Sequence, residues 1–128
     1  MRIVQDRWLP LNDLQTTLEG RWESVVRFEP SSEWFSGHFE ECALVPGVAL
    51  LALVAEIVER QGREQGRHLE VSGFSRVRFR QIVFPDEELC VSVAGIHSRP
   101  GGKLDFYITR RGDTVAEGFL KASEVLRQ

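Results

Sequence analysis

Trp34-Phe35-Ser36-Gly37-His38-Phe39, a short connection, and then Val45-Pro46-Gly47-Val48 opening an apolar run to Val58 form the stretch on which the reading of this chain turns. Pro46 suits the first turn of a helix, because its missing N–H would have no partner there in any case. From Gly47 to Ala55 no residue carries a charge, and Val48, Leu50, Leu51, Leu53, Val54, Ile57 and Val58 point all round the axis. A helix apolar on every side is wrapped by protein or spans a membrane. The uncharged run falls well short of the ~20 residues a bilayer demands, so a helix swaddled by strands is expected, without membrane insertion.

Working outward from the helix, Leu11, Leu14 and Leu18 suggest one side of a short helix capped by Asn12 or Asp13 and ended by Gly20. Residues 1–20 then read as a segment covering one end of a sheet. Trp22, Val25, Val26 and Phe28 make a strand of residues 21–29, and Pro30-Ser31-Ser32 breaks it. Beyond the helix, Gly62 to Arg67 is polar punctuation. From Phe74 to Phe84 the pattern alternates, with Val77 and Phe79 on one face and Arg76, Arg78 and Arg80 on the other. Pro85-Asp86 turns the chain into a strand through Leu89 and Val93. Arg99-Pro100-Gly101-Gly102 is a hairpin signal, and Leu104, Phe106 and Ile108 alternate with polar neighbours. Arg111-Gly112-Asp113 turns again into a last strand, Val115 to Val125, with a bulge expected at Gly118. One strand, one buried helix and four further strands make an α+β fold: an antiparallel sheet of about five strands around one long central helix, in a single domain 1–128.

A chain of 128 residues is long enough for a real core, and its 27% charged content is that of a soluble globular protein. A net charge of −3 with no basic tail argues against nucleic acid as a partner. The first ten residues carry Arg2, Asp6 and Arg7 and lack the apolar core of a signal peptide, so cytoplasm is the expected location. Cys42 and Cys90 are then expected as reduced thiols, with Cys42 as buried filler. His68 and His97 lie in no cluster of ligand type, so neither a metal nor another cofactor is expected.

The opening motif resembles that of the 3-hydroxyacyl-acyl-carrier-protein dehydratases: Gly37-His38-Phe39, then Val45-Pro46-Gly47-Val48 at the head of an apolar helix. Val77-Arg78-Phe79-Arg80, Val83 and Pro85-Asp86 resemble the family pattern on the strand after the helix. The resemblance runs from about Arg21 to the C-terminus and implies the hot-dog fold. It departs from the family at two positions. Glu40 replaces a proline, and Ala52 stands where the family has the helix carboxylate.

Dehydration of a 3-hydroxyacyl thioester needs a base for the α-proton, a donor for the enolate-like oxygen and an acid for the departing hydroxyl. An imidazole in an apolar loop suits the base, and free N–H groups at the helix start suit the donor. The resemblance puts His38 and Gly47 in those roles and implies substrate contacts at Phe39, Val48, Ala52 and Phe79. It also implies a homodimer with the pocket between subunits. Ala52 can be no acid. Glu56, one turn on along the same face, is the candidate replacement; Glu40, Glu41 or His38 acting twice are the others. Glu56 could instead simply meet a cation such as Arg60. Arg76, Arg78 and Arg80 form a ridge suited to docking an acidic acyl carrier protein, or else an ordinary solvated face. The expected function is a lyase of fatty-acid or related acyl-chain biosynthesis, acting on carrier-protein or coenzyme A thioesters. A non-catalytic acyl-binding or partner subunit and a hot-dog thioesterase are the alternatives.

Overall fold

A computed structural model describes residues 12–29, 44–94 and 103–125. His38, Phe39, Glu40, Glu41 and Cys42 lie outside the described residues, as does the hairpin signal at Arg99 to Gly102. Elements run β1 (Asn12–Thr16), β2 (Trp22–Arg27), α1 (Gly47–Glu64), β3 (Leu69–Phe79), β4 (Glu88–Val93), β5 (Lys103–Arg110) and β6 (Asp113–Glu124). The strands form one six-stranded antiparallel sheet in the order β1-β2-β4-β5-β6-β3, with the one helix among the described residues packed on it, which is the hot-dog arrangement.

The helix expected before Gly20 is instead β1, so the sheet has one strand more than expected. Asn12 pairs with Val25 and Thr16 with Trp22. The joining turn is held by Thr17 and Arg21: the Thr17 N–H reaches Arg21 O at 2.7 Å and the Arg21 N–H reaches Thr17 Oγ1 at 3.1 Å. Gly20, read as a helix end, supplies the positive φ of 84° that this turn requires. Leu18 is fully exposed, so the leucine spacing marked no buried helix side.

Strand β3 begins at Leu69 and stops at Phe79, short of Phe84. The chain after it is tied down by Arg110, whose guanidinium donates to Ile82 O at 2.9 Å, Glu87 at 2.6 Å and Gln81 at 2.6 Å. One face of the sheet meets the helix: Trp22, Val26, Phe28, Leu89, Val91, Val93, Leu104, Phe106, Ile108 and Leu120 are buried there with Leu53, Val54, Ile57 and Val58. The β5–β6 turn uses Arg111 and Gly112, both at positive φ (54° and 86°), matching the twist of a two-residue hairpin.

Gly118 sits in regular register opposite Phe106, so the bulge expected there lies across from it, on β3. Ser75 pairs with Phe119 and Arg78 with Glu117, leaving one extra residue on β3 between them. Arg76 takes a φ of 52° within this bulge. A Cβ on Gly118 would stand 3.0 Å from the Val77 Cα, so the bulge presses backbone against backbone and needs a glycine.

The helix is not wrapped on every side. Ala49, Leu50, Leu53, Val54, Ile57 and Val58 are buried, but Val48 is 62% exposed and Leu51, Ala52 and Ala55 are partly open. The all-round apolar pattern therefore serves two surfaces, one against the sheet and one outward.

Candidate active site

The free end of α1 organises the site. Pro46 is the N-cap in extended conformation (φ −69°, ψ 151°), and no side chain caps the helix. Its carbonyl takes the N–H groups of Ala49 (2.9 Å) and Leu50 (3.4 Å). The N–H groups of Gly47 and Val48 have no acceptor among the described residues. No acidic residue lies in the first turn to occupy them, and the helix dipole adds positive character. Such a tip can hold an oxygen that gains negative charge.

Around the tip lies an apolar rim. The Val45 N–H donates to Val83 O at 2.9 Å, which ties the approach to the helix to the chain after β3. Leu44, Val48, Phe79, Ile82 and Phe84 are all exposed along these two segments. Phe79 lies on Gly47 itself: a Cβ there would stand 2.8 Å from the ring Cζ and 3.0 and 3.1 Å from the two Cε atoms. The bare position that sequence reasoning reserved for a thioester thus also seats an aromatic ring. No sequence signal gave that contact, because it depends on where β3 ends relative to the helix.

Val48 and Ala52, one helical turn apart, share the open side of α1. Ala52 brings no polar group to it. Glu56 is only 4% exposed, and its Oε2 lies 3.1 Å from Arg63 Nη2 and 3.6 Å from Arg60 Nε. Glu59 is used otherwise, accepting the Val71 N–H of β3 at 3.2 Å. The arginine ridge is divided. Arg80 bonds Glu117, whereas Arg76 and Arg78 are exposed and have no acidic partner among the described residues.

The architecture defines a hot-dog protein, and comparison with known proteins agrees. The model of the ApeI-like family, described as ApeI dehydratase, matches residues 14–119. The chain belongs to that family, among the FabZ-like dehydratases. It is 30% identical over 98 residues to the 3-hydroxyacyl-acyl-carrier-protein dehydratase FabZ of Bacillus cytotoxicus, covering 73% of this chain and 68% of the relative. With the FabZ of Hydrogenobaculum sp. it shares 28% over 133 residues, covering 96% and 90%. Among solved structures it is similar to the dehydratase heterocomplex ApeI:P from Xenorhabdus doucetiae, with a TM-score of 0.69 and 21% identity over 88% of this chain and 96% of that one. A mutant of a hypothetical thioesterase from Streptococcus pneumoniae has a TM-score of 0.66 and 16% identity, covering 90% and 91%. These two structural likenesses concern the fold alone.

Proposed function

We propose that this protein removes water from a 3-hydroxyacyl thioester to give the 2-enoyl thioester. The carrying observation is the pair of free N–H groups at Gly47 and Val48 inside an exposed apolar rim. The thioester oxygen accepts from the Gly47 N–H, and the alkyl chain runs over Val48, Phe79 and the open side at Ala52, with Phe39 beside it. His38 takes the proton from C2, the freed electron pair forms the C2–C3 double bond, and hydroxide leaves C3. The same imidazole returns its proton to the leaving oxygen, so water departs and His38 ends neutral. Two arginines already engage the carboxylate of Glu56, which favours His38 over Glu56 as proton donor. The FabZ relatives support an acyl-carrier-protein thioester as substrate, and a second copy of the chain closing the open helix side is the proposed assembly. Cytoplasmic acyl-chain biosynthesis is the setting this reading implies.

The test is incubation with a 3-hydroxyacyl thioester while enoyl formation and free thiol are followed separately. Enoyl product without thiol release is expected, and His38→Ala should abolish it. Thiol release instead would make the protein a thioesterase. A second reading, a subunit that binds acyl thioester beside a catalytic partner, draws on Ala52 and on the similarity to a dehydratase heterocomplex. Acyl binding with no product would decide for it.

A further inference from the structure

Helix α1 and strand β3 run side by side in opposite directions and touch at both ends. At one end Phe79 covers Gly47, where a Cβ would stand 2.8 Å from the ring Cζ. At the other end Leu69 covers Gly62, where a Cβ would stand 2.7 Å from the Leu69 Cγ. Just before Gly62, the Oε2 of Glu59 accepts the Val71 N–H at 3.2 Å. Between these ends Leu51, Ala52 and Ala55 on the helix and Val71, Phe74 and Val77 on the strand are each only partly buried.

Val48, Ala52, Ala55 and Glu59 follow one another at spacings of four, three and four residues, so they form one row along the open side of α1. The row starts at the uncapped helix tip and is apolar until it meets a carboxylate. A glutamate on an open helix side ordinarily reaches into water. This one bridges to the strand instead, beside the break in register between Val71 and Gly73. The space along the row is therefore bounded at one end by the tip and at the other by a polar side chain held in place.

We infer that Glu59 is the floor of the acyl groove and sets the longest chain the protein accepts. The inference rests on the proposed dehydration, because it takes the thioester oxygen at the Gly47 N–H as the start of the chain. From residue 47 to residue 59 the helix rises about 18 Å at ~1.5 Å per residue. A helical side chain leans over roughly the preceding position, which takes ~1.5 Å, and van der Waals contact with the chain end takes ~4 Å more. About 12 Å remain for the acyl chain. With C–C bonds of ~1.52 Å at tetrahedral angles, a staggered chain advances about 1.25 Å per carbon. The row then holds roughly ten carbons. Any further methylene would strip water from the carboxylate, and that cost opposes the gain from its own burial.

Calorimetric titration with saturated acyl N-acetylcysteamine thioesters of graded length tests the floor without requiring catalysis. Affinity of the wild type should rise about fourfold per carbon up to roughly ten carbons and then level off or fall. Glu59→Ala should move that break upward by about three carbons, the length of side chain removed, and Glu59→Asp by about one. A glutamate that merely ties helix to strand would lower Tm when replaced and leave the break where it was. Should Glu59→Ala fail to fold, Glu59→Asp decides alone. The kcat/KM values for the matching 3-hydroxyacyl series should show the same break. Absence of turnover across that series would count against the proposed reaction, while the binding series still decides the floor. No break in the wild type up to about fourteen carbons, or a break that stays put in the folded variants, would overturn the inference.

Discussion

Replacing Glu56 by Gln separates an ion-pair role from a catalytic one. The carboxylate is 4% exposed and meets Arg63 at 3.1 Å and Arg60 at 3.6 Å. At an effective dielectric of ~20 each contact corresponds to about 5 kcal/mol of attraction, most of it cancelled by the several kcal/mol needed to strip water from the ions. Removing one member of a fully buried pair costs ~3–5 kcal/mol, because the orphaned charge stays in the interior. Here the Arg60 and Arg63 side chains are 23% and 42% exposed, so they can turn to water. The loss should then be about 2 kcal/mol, below the buried case and above the ~0–1 kcal/mol of a surface pair. Urea unfolding should show it as a midpoint lowered by roughly 1 M, given a slope of ~1–3 kcal/mol/M. Glu56→Gln and Arg63→Ala should also be non-additive in a double-mutant cycle. Turnover of a 3-hydroxyacyl thioester should stay close to wild type. A fall in kcat of ~10²–10⁴ at unchanged stability would refute the reasoning and make Glu56 the acid that Ala52 is not.

Gly62→Ala should destabilise by about 1 kcal/mol in the same urea assay: the ~1 kcal/mol of helix propensity gained is outweighed by overpacking, worth ~1–3 kcal/mol. The new Cβ would stand 2.7 Å from the Cγ of Leu69, which is only 3% exposed and has no room to yield. Gly47→Ala should behave oppositely, keeping its stability because the half-exposed Phe79 ring can swing into solvent, while turnover falls as the methyl covers the helix tip. Arg21→Ala should cost ~1–2 kcal/mol, since it removes the bonds to Ser92 Oγ (2.7 Å) and Asp105 (3.1 Å) and the stack 4.7 Å over Tyr107. Burial, then the charges of Glu23 and Glu88, push the Cys90 thiol above its ordinary value of 9.0. The folded protein therefore holds this proton at pH values where the unfolded chain has lost it. This contribution to stability is complete below the unfolded pKa and fades as pH rises through the folded one. Wild type should lose more stability between pH 8 and 10 than Cys90→Ala, and identical slopes would contradict it.

Element type was legible where one physical demand dominated. The uncharged run from Gly47 to Ala55 announced the helix, and the alternation of Leu104, Phe106 and Ile108 announced β5, because burial on one face leaves a period that no loop shares. At residues 12–16 the periodicity misled. Leu14 and Leu18 have helical spacing, but a strand at the edge of a sheet buries little, so its side chains say little about its period. The helix tip was legible in Pro46-Gly47. The ring over Gly47 and the arginines on Glu56 were not, for they depend on distances between elements that no local pattern encodes.

The bulge at Arg76 shows why a locally correct pattern can still miss the geometry. Phe74 pairs with Leu120, and Val77 and Phe79 pack toward the helix side as well, although their offsets from Phe74, three and five positions, are odd. Strict alternation cannot put all three inward. One residue must leave the ladder, and Arg76 is the one that does. The parity break is thus visible in the sequence once Phe74 and Phe79 are both required inside. It costs a strained backbone at a non-glycine residue, and it allows one strand to serve two surfaces. Toward the helix it delivers Phe79 onto Gly47, where the proposed thioester arrives; away from it, Arg76 and Arg78 face solvent. A regular strand would turn Val77 and Phe79 outward and Arg76 inward, so the packing beneath the sheet itself requires the break that brings Arg76 to the outer face.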